Sequence, residues 1–336
     1  MRKIKIALLL FSVIFILSSC EKEIEFDNQY DNGIAVYALA IPGKPFMVRI
    51  SHSFTVNDNP AVVFSNYAEY FFEIDSLYHS QIIIKDAEAE ILVNGVDRYP
   101  LHYKDKNPYP YICDYIPNEG DVIALTVKAQ GFDDVSATAT IEKPQPVEIV
   151  NTQVIYKDNG DDGSVIMDNP LDYFGVDSVM LVTLRIDDPV EQHNFYRLKV
   201  RGIAEREMTI FPPDKMKFWS ISDVFTSDDI IFVDNQLTKP FSDWEKGFSN
   251  VFDDRLFNGE SYTFTVETRK RYGDNAHVEL ELQSLSQDMY YFLKSYLLFR
   301  ISTDDVYMTP VGLHSNITNG WGIFGTLSYD RHIIYY

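Results

Sequence analysis

The sequence is poor in cysteine, in positive charge and in the residues typical of low-complexity chains. Its 336 residues include two cysteines, 16 glycines and 15 prolines. Two cysteines exclude a disulfide framework, and so few glycines and prolines exclude a collagen-like or low-complexity chain. Lysine and arginine number 29 against 50 aspartates and glutamates, which gives a formal net charge of −21. A chain with this much negative charge repels the phosphate backbone of nucleic acids. We therefore expect no nucleic-acid partner.

Sequence motifs for common catalytic and metal sites are also missing. There is no G-x-S-x-G elbow and no G-x-x-x-x-G-K-[ST] loop, and no two histidines stand three or four residues apart. A literal G-x-G-x-x-G occurs at 320–325, but the eleven residues after it leave no room for a dinucleotide fold. These glycines instead indicate a close backbone approach near a final strand. We therefore predict no cofactor, no metal and no catalytic residue, although a triad assembled from distant loops stays open.

Pairs of aspartates recur along the chain and raise the question of calcium. The densest acidic segment is 158–163, Asp-Asn-Gly-Asp-Asp-Gly. Gly160 occupies a position where a calcium loop needs an oxygen ligand, and Asn-Gly and Asp-Gly pairs form turns by themselves. A polar hairpin tip is therefore favoured over a calcium site.

The first nineteen residues have the pattern of an export signal. Three of the first five residues are basic, and residues 6–17 are apolar except for Ser12. Twelve helical residues rise about 18 Å, less than the ~30 Å hydrocarbon core of a bilayer. Residues 1–19 are therefore predicted to be a signal peptide and not a transmembrane anchor.

The signal ends in Leu17-Ser18-Ser19-Cys20, which resembles a bacterial lipobox. The resemblance implies that the Cys20 thiol is acylated and that cleavage leaves Cys20 as the new N-terminus. Several acyl chains, at about 0.8 kcal/mol per buried methylene, anchor a protein stably in a membrane. The alternative is an ordinary signal peptide with an incidental cysteine. Cys113, the other cysteine, is interpreted as a small core residue.

An acidic stretch follows Cys20. It begins with Glu21, Lys22 and Glu23, and it resembles the surface-export signal of lipoproteins in Bacteroidota-type cells. The resemblance implies that the protein faces outward from the outer membrane. The alternative is a solvated tether over 20–33 that keeps the folded part away from the lipid, and both roles are compatible.

Alternating apolar residues predict a mainly β protein with two antiparallel β-sandwich-like domains. Runs with period two are separated by turn signals such as Asn94-Gly95. The two prolines at Pro144 and Pro146 disfavour both helix and central strand. We therefore place an N-terminal domain at 34–143 and a C-terminal domain at 147–336.

One segment of the C-terminal domain has helical periodicity instead. Between 284 and 300 five large apolar residues fall on one face, namely Met289, Phe292, Leu293, Tyr296 and Leu297. Ser284 and Gln287 have the spacing of a capping box, and Ser286 is the alternative N-cap. The pattern predicts an amphipathic helix, 284–300, packed on the second sheet.

Residues 205–250 form the longest stretch without regular periodicity, and they are rich in aromatics. Trp219 and Trp244 lie in this stretch, and Trp321 lies between two glycines near the C-terminus. Tryptophans are favoured as anchors at interfaces, so these three are candidate contacts for a ligand or partner. The alternative is that they fill a layer between sheet and loop.

Several segments together resemble one protein family. In chain order they are CEKEIEFD, ILVNG, GDVIALTVKAQGF, RLFNGESYTF, LQSLSQDMYYFLKS and HSNITNGWGIFG. They resemble a family of outer-membrane lipoproteins of unknown function in Bacteroidota-type bacteria, commonly encoded beside TonB-dependent receptors. The resemblance implies a lipid-tethered, β-rich accessory of an outer-membrane transporter, and it brings no catalytic or ligand residues with it.

We therefore expect a surface lipoprotein that is not an enzyme. Its expected partners are the membrane, through the N-terminal lipid, and a TonB-dependent outer-membrane receptor, which it would assist in capturing or admitting a nutrient. Two alternatives from other classes are a surface hydrolase with a site built from loops and an adhesion or envelope-scaffold module.

Overall fold

The computed structural model describes residues 33–53, 82–105, 109–157, 177–190, 192–211, 214–222, 225–237, 247–304 and 311–336. The sequence predictions at Cys20, Glu21, Lys22, Glu23, Trp244 and 158–163 lie outside these residues. Within them the protein is mainly β, with two sheets and one α-helix, which confirms the predicted fold class. No helix in these ranges is both long and apolar enough to cross a membrane.

The strands are β1 (Ile34–Ala40), β2 (Met47–His52), β3 (Glu88–Val93), β4 (Asp97–Tyr103), β5 (Tyr111–Ile112), β6 (Val122–Lys128), β7 (Val135–Thr140), β8 (Val147–Lys157), β9 (Asp177–Asp187), β10 (Phe195–Phe211), β11 (Asp214–Ser222), β12 (Phe225–Thr226), β13 (Val251–Asp253), β14 (Ser261–Arg269), β15 (Asp274–Leu285) and β16 (Trp321–Tyr335). The α-helix, α1, spans Gln287–Asp304, and two short 3-10 helices span Ile230–Phe232 and Asn235–Leu237.

The larger sheet runs through both halves of the chain. Its order is β11-β10-β15-β16-β1-β2-β5-β4-β3-β6-β7, and β13 also pairs with β10. All of these pairs are antiparallel except β1 with β16, which is parallel. The smaller sheet has the antiparallel order β12-β14-β9-β8.

The first hydrophobic core lies inside the N-terminal half of the larger sheet. Strand β3 shows the principle, since Ala89, Ile91 and Val93 are buried while Glu88 is exposed. The sheet curves until β7 meets the segment before β16 through a bridge from Ser136 to Thr318. The Asn94-Gly95 turn between β3 and β4 is confirmed, with φ of 52° and 70° at the two residues. Cys113 is confirmed as a core residue.

The second core lies between the smaller sheet and strands β10 and β15. Leu198 and Val200 of β10, with Leu280 and Leu282 of β15, face this core from the larger sheet. Val182, Leu184, Ile186, Phe264 and Val266 face it from the smaller sheet. The two facing layers make this half a sandwich.

Strand β16 joins the two halves. Its first part, Trp321 to Thr326, pairs in parallel with β1, and its second part, Leu327 to Tyr335, pairs antiparallel with β15. Phe324 and the nearby Ile317 belong to the first core. The two cores lie on either side of the division predicted at 143–147, but the C-terminal segment supplies side chains to the first one.

Helix α1 begins three residues later and ends four residues later than the predicted 284–300. Ser284 lies in β15, where its hydroxyl accepts a 2.9 Å hydrogen bond from the Gln145 N–H and therefore caps no helix. The carbonyl of Ser286 accepts the bond from the Tyr290 N–H at 3.0 Å, which makes Ser286 the residue that precedes the helix. The predicted apolar face is confirmed, since it packs with Phe195, Leu285 and Leu327 in a third cluster.

The interpretation of 205–250 as irregular is wrong for its first part. Strand β10 continues to Phe211, and β11 returns beside it, with Glu205 opposite Trp219. Polar residues occupy both faces of this hairpin sequence, so the periodicity that identified the other strands is weak here.

Glycines in the G-x-G-x-x-G segment permit a close backbone approach, as predicted. Gly322 has φ of +100°, and a Cβ built on it would lie 2.1 Å from the carbonyl oxygen of Val36. A Cβ on Gly320 would lie 2.6 Å from the carbonyl oxygen of Ile34. A strand, β16, follows these glycines where a dinucleotide site needs a helix.

Gly322→Ala is therefore expected to lower the free energy of unfolding by about 3 kcal/mol or more, because it adds a backbone clash to a strained φ. Gly43→Ala is the matched control: Gly43 also has a positive φ, +74°, but open space around it, so about 1 kcal/mol is expected. Urea unfolding of both variants measures the difference. Equal losses would show that β16 and β1 do not approach as closely as described.

Candidate functional site

A cleft of about 530 Å³ lies where the segment between the two halves crosses the start of β10 and the end of β15. One wall is formed by residues 142–145, a second by residues 192–196, and a third by Ser284, Leu285 and Gln287. The volume is within the range of small-molecule sites, and the lining mixes apolar rings with polar side chains. This makes it the candidate functional site.

Hydrogen bonds fix the crossing segment that forms the first wall. The Gln145 N–H donates to Ser284 Oγ at 2.9 Å, and Gln145 Nε2 donates to the Asp187 carbonyl at 2.8 Å. The Val147 N–H donates to Asp330 Oδ2 at 2.9 Å. The segment predicted as a linker is thus attached to β15, β9 and β16, which makes the cleft a preformed one.

His193 is one of the titratable side chains that line the cleft, and a buried carboxylate contacts it. Its Nδ1 contacts Asp254 Oδ1, while Asp254 Oδ2 accepts a 2.6 Å hydrogen bond from the Asn194 N–H. The Asp254 side chain is fully buried, whereas that of His193 is about half exposed. A carboxylate at Nδ1 fixes the ring orientation. On the other side of the ring, Nε2 lies 3.9 Å from Asp253 Oδ2.

A second buried carboxylate, Asp188, lies behind this pair. Its Oδ1 accepts a 2.5 Å bond from the Tyr196 hydroxyl, and its Oδ2 accepts a 3.1 Å bond from the Gly259 N–H. Burial raises the pKa of Asp188, and the negative charge of Asp254 adds to the rise. Burial, together with Asp188, also raises the pKa of Tyr196, which keeps this hydroxyl a hydrogen-bond donor.

Asp253 connects the same region to helix α1. Its Oδ1 accepts a 2.9 Å bond from Arg255 Nε, and its Oδ2 accepts a 3.1 Å bond from the Tyr290 hydroxyl. Burial and Asp253 together raise the pKa of Tyr290. Hydrogen bonds thus stabilise these three aspartates. Within the described ranges, no group of three or more His, Cys, Asp or Glu side chains is placed so that it could hold a metal ion.

The predicted tryptophan contacts do not converge on this cleft. Trp219 lies on β11 and is 56% exposed, and Trp321 opens β16 and is 53% exposed. Neither lines the cleft, and neither fills a core. Their contact with a partner stays a prediction.

Sequence reasoning missed His193, Asp188 and Asp254. A signal was present in 187–188 and 253–254, which are two of the recurring aspartate pairs that raised the question of calcium. The second aspartate of each pair, Asp188 or Asp254, is buried behind the cleft. Of the first aspartates, Asp187 is exposed, and Asp253 accepts hydrogen bonds from two neighbouring side chains. Nothing local in the sequence indicates that the two pairs meet.

Glu142→Gln is expected to stabilise the protein at neutral pH. Burial raises the pKa of Glu142 above its ordinary 4.5, so the folded state holds the proton more tightly than the unfolded state. Wild-type stability therefore falls as the pH rises through the range above 4.5, and the glutamine variant lacks this loss. The carboxyl is only half buried, so the gain is expected to stay below about 1 kcal/mol.

Urea unfolding at about pH 4 and about pH 7 measures this gain. Glu119→Gln, at an exposed glutamate, is the matched control and is expected to show no such difference. An E142Q variant that is no more stable than the wild type at the higher pH contradicts the assignment.

Comparison with known proteins identifies one family. The model described as "Domain of unknown function (DUF4249)" matches residues 21–333, which include both halves of the fold and every wall of the cleft. No curated protein and no solved structure matches the chain.

Proposed function

We propose that the chain, which belongs to the DUF4249 family, is a surface-exposed outer-membrane lipoprotein that assists a TonB-dependent transporter. In this proposal Cys20 carries the lipid, and Glu21, Lys22 and Glu23 direct the protein to the cell surface. The cleft described above binds a nutrient. The role is binding and presentation, without a chemical step.

The observation that carries the proposal is the position of Cys20. A basic and then apolar leader precedes it, and Leu17-Ser18-Ser19 stands directly before it. The family match begins at the next residue, Glu21, so the leader lies outside the matched residues. This boundary supports cleavage before Cys20 and acylation of its thiol.

The cleft supports a binding role. Its walls are fixed by hydrogen bonds from Gln145 and Val147, so a ligand would not have to order them. A lipid tether would also confine the protein to the plane of its receptor, which raises the encounter rate without strong affinity.

Cys20→Ser is expected to move nearly all of the protein from the membrane fraction to the soluble fraction, because no acyl chain can be attached. Cys113→Ala is the control: it removes the other thiol, which is buried in the first core, and it should leave the protein in the membrane. Fractionation followed by immunoblotting measures both. Retention of C20S in the membrane would contradict lipidation.

The partner is tested with the wild-type protein extracted in mild detergent. Affinity capture is expected to bring down a β-barrel of receptor size, identified by mass spectrometry, and C20S should recover much less of it. Alanine at Glu21 and Glu23 together should reduce exposure to protease added to whole cells while the lipid anchor remains. A protein recovered without any barrel, from cells in which it is anchored, argues against the transporter role.

A surface hydrolase is the second candidate, and the contact of His193 with the buried Asp254 favours it. A histidine oriented in this way is the arrangement of a general base. Within the described residues neither His193 nitrogen has a hydrogen bond to a hydroxyl, so no nucleophile is engaged, and this candidate ranks below binding.

Hydrolysis is tested by assaying the protein on panels of esters, peptides and glycosides. If any is cleaved, His193→Ala should lower the rate by about 10²-fold or more, as removal of a general base does. His102→Ala, at an exposed histidine of β4, is the control. A turnover that H193A leaves unchanged excludes His193 as the base.

A further inference from the structure

A second pocket lies where β16 begins, and we call it the Trp321 groove. It holds about 690 Å³ and is lined by residues 131–133, by residues 319–321 and by Gly33. The volume is within the range of small-molecule sites. None of these lining residues belongs to the cleft described above, so the two pockets are separate.

Two aromatic side chains line the groove. Trp321 is 53% exposed, although its backbone is held in β16 beside Ala35 of β1. Phe132 is partly buried and packs against the first core. An indole on a paired strand offers a large flat surface at a low cost in conformational entropy, because its side chain has only two rotatable bonds. Trp321 is therefore suited to stack on a ligand.

Polar groups lie beside these rings. Asp133 is exposed and lines the groove with its carboxylate, which accepts hydrogen bonds. Asn319 lines it as well, and its Nδ2 donates a 3.3 Å hydrogen bond to the carbonyl of Asp134. This bond orients an amide that carries a second N–H donor and an acceptor oxygen. The groove thus combines an aromatic face with groups that both donate and accept.

The walls of the groove are fixed by hydrogen bonds and an ion pair. The Thr318 N–H donates to the Ser136 carbonyl at 2.8 Å, which holds the loop before β16 against β7. The Gly33 N–H donates to Ser53 Oγ at 3.0 Å, and the Ser53 N–H donates to the Gly33 carbonyl at 2.7 Å. A 2.7 Å ion pair joins the two ends of 128–134. A ligand would not have to order these walls.

We propose that the Trp321 groove binds a neutral carbohydrate, with one sugar ring stacked on the indole of Trp321. The C–H groups on the face of a sugar ring pack against an aromatic face, while the hydroxyls at its rim both donate and accept hydrogen bonds. The carboxylate of Asp133 accepts from these hydroxyls, and the amide of Asn319 does both. The proposal depends on neither lipidation nor a receptor, nor on a ligand in the first cleft.

An organic cation is the competing ligand, since a carboxylate beside an aromatic ring attracts positive charge. A quaternary ammonium ion has no hydrogen-bonding group for the amide of Asn319. Its attraction to a ring is also strongest where water is excluded, whereas about half of Trp321 is exposed. Both points favour a sugar.

Calorimetric titration of the purified protein with a panel of trisaccharides tests the site. The probes are maltotriose, cellotriose, xylotriose, mannotriose and triacetylchitotriose. At least one is expected to bind with one-to-one stoichiometry and to change the tryptophan fluorescence. Choline, the cationic probe, should bind at least about tenfold more weakly than this sugar. No binding by the whole panel, or choline that binds as tightly as the best sugar, overturns the proposal.

Trp321→Ala should weaken binding of that trisaccharide by at least about tenfold, because it removes the stacking surface. Trp219→Ala is the matched control: Trp219 is 56% exposed but lies on β11, so W219A should bind like the wild type. Sugar binding that W321A leaves unchanged takes place elsewhere, as in the first cleft, and overturns this proposal without touching the one for that cleft.

Asp133→Ala keeps the test decisive if W321A fails to fold. Loss of the carboxylate should weaken sugar binding severalfold, and Asp133→Asn should restore part of it, because an amide still bonds to hydroxyls. Asp114→Ala, at another exposed aspartate, is the control and should have no effect. A D133A variant that binds the sugar as tightly as the wild type overturns the proposal.

Discussion

The backbone pairing of β16 with both β1 and β15 is the constraint on which the rest of the structure depends. Strand β16 contributes Phe324 to the first core. It then continues beside β15, the strand that faces the second core. Its partner β1 lies near the other end of the chain, so this contact forms only after a very long loop closes. The close approach at Gly322 tightens the same junction. The cleft walls depend on it, since Asp330 of β16 anchors Val147.

Charge is distributed unevenly over this framework. The chain is acidic as a whole, yet it withdraws Asp188 and Asp254 from solvent behind the cleft and stabilises them with a tyrosine hydroxyl, backbone N–H groups and His193. Arg49 is buried on another face, and within the described residues its Nε and Nη2 have no hydrogen-bond partner. Both arrangements are unfavourable for stability alone, because buried charge is tolerated only where hydrogen bonds or ligands compensate for it. Buried charged groups of this kind are concentrated at functional sites, so the surroundings of these residues are candidate ligand-binding sites.

Much of the fold could be predicted because alternation reports burial directly. Ala89, Ile91 and Val93 are buried as their period indicated, and the apolar stripe of α1 is the face that packs. The hairpin of β10 and β11 was missed because its residues are polar on both faces. The cleft could not be predicted, since its walls come from 142–145, 192–196 and the end of β15, and only the pairing of distant strands brings them together. The burial of Arg49 could not be predicted for a related reason. The sequence pattern of a strand places an arginine on the solvent side, and only the tertiary structure shows that another layer packs over it.

Strand β16 also relates the proposed anchor to the cleft. Trp321 pairs with Ala35, two residues from Gly33, where the predicted tether ends, while Ser328 pairs with Ser284 in the cleft wall. Seven residues of strand separate these positions, about 23 Å at ~3.3 Å per residue. If Cys20 carries the proposed lipid, a fully extended tether of residues 20–33 would span at most about 45 Å. The exposed Trp321 is then nearer to the end of this tether than the cleft wall at Ser284 is.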